Sequence, residues 1–172
     1  MFAIWLLPDT NDTKYLSRII ANLSCKFNSP EFLPHITIYG LVDVCLSLIE
    51  DAITNAISNL NSFIVKKSEI NYSDNIWKTI FINIIPNQEL ESINEKLAQK
   101  LDQYTNYEFL PHISLIYKKI AKSEKVKIID GLDIKNEFVM DRVAIQQYSE
   151  NVNEWKIIRY FKLNRTSEPV SC

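Results

Sequence analysis

Glycine is almost missing from this chain: of 172 residues, only Gly40 and Gly131. Walker-type loops and dinucleotide-binding fingerprints need several glycines at fixed spacing, because the backbone must turn tightly and approach a phosphate closely. Two isolated glycines exclude both. Cysteine is also scarce. Cys25, Cys45 and Cys172 form no C-x-x-C pair, which leaves neither a zinc spacing nor a disulfide framework. Scattered free thiols suit a reducing compartment. An excess of one charge is absent as well: 19 basic residues face 21 acidic ones, for a net charge of −2. This argues against a broad basic surface for nucleic acid, but leaves room for a small anion held by local donors. No apolar run is long enough to cross a bilayer. The apolar segment from Met1 to Asp9 is too short for a signal peptide core and has no basic stretch before it. A cytoplasmic protein away from membranes is expected.

What remains is a sequence with 47% hydrophobic residues, which suits a globular fold. Phe2 to Leu7 reads as a strand closed by Pro8 and Asp9. Thr13 to Leu23 reads as a helix, with Leu16, Ile19, Ile20 and Leu23 on one face. His35 to Leu41 is a strand. Asp43 then looks like the cap of a helix running to about Leu60. Phe63–Ile70 and Ile76–Ile85 read as a hairpin around Tyr72–Asn75. A helix over Glu89–Tyr104 follows, then a strand over His112–Tyr117, a helix over Ser123–Asp130, and a last hairpin of Phe138–Gln146 and Trp155–Leu163. Lys118, Lys119, Lys122, Lys125 and Lys127 read as a solvated helix face. This order predicts an α+β fold with antiparallel sheet. Two pseudo-symmetric lobes with outer helices and a cleft between them would occupy residues 1–163, with a loose tail over 164–172.

The lobes are suggested by a repeat. Residues 31–37 read Glu-Phe-Leu-Pro-His-Ile-Thr and residues 108–114 read Glu-Phe-Leu-Pro-His-Ile-Ser. The chain's only two histidines, His35 and His112, stand at the same place in each copy. On a strand, residues i and i+2 share a face. His35 therefore projects with Thr37, and His112 with Ser114, while Ile36 and Ile113 face the core. Each pair offers one imidazole, which titrates near neutral pH, and one neutral hydroxyl donor suited to a phosphate oxygen. Two such pairs across a cleft could cleave a phosphodiester without a metal: one ring takes a proton from water and the other gives one to the departing oxygen. We expect His112 in the first role and His35 in the second. The remaining sequence supplies no recognisable spacing of metal ligands, so neither a metal nor another cofactor is expected.

The motifs His35-Ile36-Thr37-Ile38 and His112-Ile113-Ser114-Leu115 resemble the paired H-x-[ST]-x signature of the two-histidine (2H) phosphoesterases. The resemblance extends over nearly the whole chain. It is closest to the small cyclic phosphodiesterases, whose second motif carries a tyrosine five residues past the histidine, as Tyr117 does here. Lys118 departs from that branch, which often has glycine there. The resemblance implies hydrolysis of a 2′,3′-cyclic nucleotide or of ADP-ribose 1″,2″-cyclic phosphate. RNA ends, 2′-5′ oligonucleotides and cyclic oligonucleotide signals are the alternative substrates, and a binding module without turnover is the alternative from another class. The expected partner is a small nucleotide or short oligonucleotide, with no stable protein partner implied.

Three aromatic residues are further candidates for substrate binding. Tyr117 lines the site by the resemblance, whereas alternation from Ser114 turns it away. Tyr39, two past Thr37, shares a face with His35 by alternation and could stack on a base or fill the lobe. Trp77 follows a polar turn and could stack on a base or close a core edge. Trp5 and Trp155 read as core or cleft wall, and Tyr148 as a hairpin residue that could cover the cleft.

Overall fold

A computed structural model describes residues 1–105 and 107–164. The expected tail lies outside these residues except for Asn164, which bridges to Asn61. In chain order the elements are β1 (Phe2–Pro8), α1 (Thr10–Phe27), β2 (Ile36–Val42), α2 (Leu46–Ile57), β3 (Phe63–Tyr72), β4 (Ile80–Ile85), α3 (Gln88–Leu101), β5 (His112–Ile116), α4 (Lys122–Asp130), β6 (Glu137–Gln147) and β7 (Lys156–Lys162). The fold is α+β.

Every pairing between the strands is antiparallel, in the order β1-β2-β5-β4-β3-β6-β7. The sheet also closes on itself, because β6 pairs with β1 along Phe2–Pro8. Strand β6 is long enough to serve both ends: its first residues pair with β3, and from Met140 onward it pairs with β1. The weakest point of the ring is the junction of the two motif strands, where β2 meets β5 through the single pair Ile36–Ile113.

One face of the sheet lies under the helices. Ile4, Leu6, Ile36, Ile38 and Ile113 join Leu16, Ile20, Ile53 and Leu97 in one buried cluster, which is the apolar packing that stabilises the fold. The helices cross over between the halves: α1, which precedes the first motif, packs on β5 of the second, and α3, which precedes the second, packs on β2 of the first. Asn94 on α3 donates to the Ile38 carbonyl at 2.8 Å. The opposite face of β1 presents Ala3, Trp5 and Leu7, which pack with Ala144 in a separate cluster.

Several boundaries differ from the sequence expectation. Helix α1 begins earlier, because Asp9 caps it by accepting the Asp12 N–H at 2.8 Å. Asp43 does not cap α2. Cys45 stands at that position without a side-chain cap bond, and Asp43 is exposed, 3.7 Å from the N-terminal ammonium. Ile76–Lys78 form a short 3₁₀ turn rather than the start of a strand. Asn75 accepts the Trp77 N–H at 2.9 Å, and Thr79 Oγ1 donates to the Ile76 carbonyl at 3.1 Å, so local side-chain bonds wind the chain there. A second 3₁₀ turn, Val152–Glu154, takes up the last hairpin, and β7 starts at Lys156 rather than Trp155. Lys125 is not on a solvated face: it is buried, and its ammonium donates to Ser73 O at 2.7 Å and Asp74 Oδ1 at 2.9 Å.

Candidate active site

The register at the β2–β5 junction builds the site. Ile36 and Ile113 pair and are fully buried towards the helices. Their neighbours along each strand must then point to the opposite face. The antiparallel direction sets His35 towards Ser114 and Thr37 towards His112 across the junction. All four side chains line one cavity of about 500 Å³, within the size range of small-molecule sites.

The two histidines are held alike. His35 Nδ1 lies 2.7 Å from the Leu33 carbonyl, and His112 Nδ1 lies 2.7 Å from the Leu110 carbonyl. A carbonyl only accepts, so Nδ1 carries the proton in both rings. Nε2 is left in each ring to exchange a proton with a ligand in the cavity. Pro34 and Pro111 stand between each histidine and its carbonyl, and their fixed φ pre-shapes the bend that brings the two together.

The surroundings of the two rings differ. His35 is buried and stacks on Trp5, with centroids 3.6 Å apart and planes 8° from parallel. Burial pushes its pKa down to about 3; the bond to Leu33 opposes this, and the charge of His112 adds to it. His112 is half-buried and meets Phe81 edge-on at 5.5 Å. Burial lowers its pKa as well, the Leu110 bond opposes, and the Lys78 ammonium lowers it further. Burial thus disfavours the charged form of both rings, most strongly at His35.

The hydroxyls differ too. Ser114 is buried and donates to the Trp77 carbonyl at 3.1 Å. Thr37 is half-buried, and its carbonyl accepts from the Tyr107 hydroxyl at 3.0 Å.

Tyr117 lines the cavity, just past the end of β5. It leaves the strand's alternation there, stacks on Phe32 at 4.1 Å, and is edge-on to Trp77 and Trp155. Burial raises its hydroxyl pKa, and a hydrogen bond with Ser114 works the other way. Trp77 also lines the cavity, is partly exposed and lies 5.9 Å from Trp155 at 24°.

Tyr39 is elsewhere. It is fully buried, joins the core, and donates to Asp102 Oδ1 at 2.7 Å. The cause is a register irregularity: Trp5 pairs with Thr37 but Ile4 pairs with Tyr39, so β2 holds an extra residue in that step. The bulge turns Tyr39 to the helix side with Ile4. Gly40 takes a place on the cavity wall instead.

Sequence reasoning passed over Tyr107, Lys78 and Gln146, which also line the cavity with Trp5, Tyr148 and Trp155. The Tyr107 ring covers Gly40 so closely that a Cβ there would come 2.3 Å from Tyr107 Cδ2. A glycine inside a strand is the usual mark of such an approach, and one of only two glycines in the chain could have pointed to it. Burial pushes the Tyr107 hydroxyl pKa up to about 12. Among the described residues, no group of three or more His, Cys, Asp or Glu side chains is placed to hold a metal ion. No described helix is long and apolar enough to cross a membrane.

A closed antiparallel α+β sheet bearing two histidine–hydroxyl pairs in one cavity defines the class of two-histidine phosphoesterases. Within that class, residues 1–171 match the family described as "Cyclic phosphodiesterase-like protein", and the chain belongs to it as an enzyme with phosphodiesterase activity. The chain is similar to the cyclic phosphodiesterase of Arabidopsis thaliana, 19% identical over 177 residues, covering 95% of this chain and 96% of that protein. It is also similar to a putative phosphoesterase of Bacillus pumilus, 23% identical over 154 residues, covering 84% and 89%. Among solved structures, a Thermus thermophilus protein shares the fold with a TM-score of 0.65 at 12% identity, covering 95% of this chain and 98% of its own. Escherichia coli LigT complexed with 3′-AMP shares it with a TM-score of 0.62 at 11% identity, again covering 95% and 98%.

Proposed function

We propose that this enzyme hydrolyses the cyclic phosphodiester of a nucleotide, either a 2′,3′-cyclic nucleotide or ADP-ribose 1″,2″-cyclic phosphate, by metal-independent acid–base catalysis. The observation that carries the reading is the pair of histidines with matching Nδ1 anchors, both facing one cavity. Thr37 holds a phosphoryl oxygen, and Ser114 does the same once its hydroxyl turns from the Trp77 carbonyl. The Arabidopsis relative, named a cyclic phosphodiesterase, supports a cyclic substrate, and the aromatic wall of Trp77, Tyr117 and Trp155 suits a base or sugar face. The catalytic unit is residues 1–163, read as two lobes of one closed sheet whose motif strands join at the Ile36–Ile113 pair.

Two protons move in the reaction. Burial favours the neutral ring at His35, whose Nε2 takes the proton of the attacking water, while His112, entering with a second proton on its own Nε2, gives that proton to the departing sugar oxygen; exchange with solvent then resets both rings. The new P–O bond to water forms as the bond to the departing oxygen breaks, and the ring opens to a phosphomonoester.

A substrate panel read by phosphorus NMR tests the proposal: 2′,3′-cyclic mononucleotides, ADP-ribose cyclic phosphate, 2′-5′ oligomers and cyclic dinucleotides, each in EDTA. The expected result is ring opening of a cyclic phosphate at undiminished rate in EDTA. Cleavage confined to the oligomers, or activity lost in EDTA and restored by a divalent ion, overturns it.

A further inference from the structure

Among the described residues that line the cavity, one carries a fixed positive charge. Of the described residues that line it, Lys78 is the one lysine or arginine, and none is aspartate or glutamate. The Lys78 ammonium lies 4.4 Å from the centroid of the Phe81 ring, the ring that also meets His112. Its backbone is pinned on both sides: the N–H donates to Asn75 O at 3.0 Å, and the carbonyl accepts from Ser73 Oγ at 2.6 Å. The base of this lysine is therefore a built position rather than a mobile surface point.

A phosphodiester brings one negative charge into this cleft. The walls beside it are largely aromatic, through Trp5, Trp77, Tyr117 and Trp155. A charge moved into such surroundings is costly unless it is paired. The two hydroxyls donate hydrogen bonds but carry no charge, burial disfavours the charged form of His35, and His112 gives up its charge with its proton during turnover. Burial lowers the Lys78 pKa, and the charge of Glu108, which lies outside the cavity wall, opposes that shift.

The geometry points to Lys78 as the counter-ion of the phosphate held between the two histidine motifs, taking a phosphodiester as substrate and a phosphomonoester as product. This assignment rests on the reading of the cavity as a phosphodiester site. A charge fixed in advance stabilises the extra negative charge that gathers on phosphorus oxygens in the transition state, so the lysine acts on turnover as well as on binding.

Lys78→Met and Lys78→Arg test it, with circular dichroism to establish that each is folded. The substrates are 2′,3′-cyclic AMP and the same compound carrying a 5′-phosphate, and inorganic phosphate serves as the binding probe, followed by the NMR signals of the two histidines. In Lys78→Met, kcat/KM should fall on the order of 10²-fold for both substrates, and phosphate affinity should fall about tenfold. Lys78→Arg should recover most of both losses. Turnover within twofold of wild type in Lys78→Met overturns the assignment. So does a loss confined to the 5′-phosphorylated substrate, which would make Lys78 a receptor for a second phosphate. If the wild type cleaves no cyclic phosphate but binds inorganic phosphate through Lys78, the counter-ion stands and the proposed substrate falls. If cyclic phosphate is cleaved equally well without Lys78, the substrate stands and the counter-ion falls.

Discussion

At the first motif, the His35 ring is buried and lies flat on Trp5 at 3.6 Å. At the second, the His112 ring touches the edge of Phe81 at 5.5 Å, half-exposed, within the field of the Lys78 ammonium. The seven-residue phrase that delivers them is almost the same, and so is the 2.7 Å anchor to the carbonyl two residues back. The repeat therefore fixes the tautomer and aim of each ring, while residues outside the repeat set how readily each holds a proton. The proposed mechanism, in which the two rings do opposite jobs in one turnover, uses that difference.

The largest effect should come from removing either ring. His35→Ala and His112→Ala should each lower kcat by about 10²–10⁴-fold with the fold retained by circular dichroism. Full turnover in either variant would break the comparison, because one ring would then suffice. A cyclic phosphodiester with sulfur as the departing atom sharpens it further. Thiolate leaves without a proton, so this substrate should rescue His112→Ala and leave His35→Ala inactive. Rescue of His35→Ala instead would restore the division expected from the sequence.

A smaller effect concerns stability. The folded pKa of His35 is depressed to about 3 from 6.5, so the unfolded chain binds a proton that the folded chain refuses. Stability should fall as pH drops below 6.5, by up to about 1.4 kcal/mol per pH unit within this window. The slope should be smaller in a folded His35→Asn variant. Equal stabilities in denaturant titrations at pH 7 and pH 5 would show that burial of this ring carries no proton penalty.

The repeat and the strand alternation made the four motif residues legible: Ile36 and Ile113 are the buried pair, and their flanking residues share the cavity. Alternation failed at Tyr39 because a bulge is a local gain of one residue that leaves no periodic trace. It failed in the other direction at Tyr117, which lies beyond the strand's end and is no longer bound by its period. Trp77 stands on a 3₁₀ turn made by Asn75 and Thr79 side chains rather than on a strand. Tyr107 and Lys78 reach the cavity by tertiary placement: Tyr107 over Gly40, and Lys78 beside Phe81. The closure of the sheet was out of reach for a similar reason, since it depends on β6 being long enough to pair with both β3 and β1.

Two identically anchored rings that differ in how readily they take a proton are the centre of this mechanism. Because the chain has only two histidines, nitrogen-15 NMR of the histidine-labelled protein reads that difference directly, with His112→Ala to assign the signals. Both rings should show the Nδ1–H tautomer when neutral, and His35 should titrate at the lower pH. An Nε2–H tautomer in either ring, or a pair that titrates together near pH 6.5, would contradict the account.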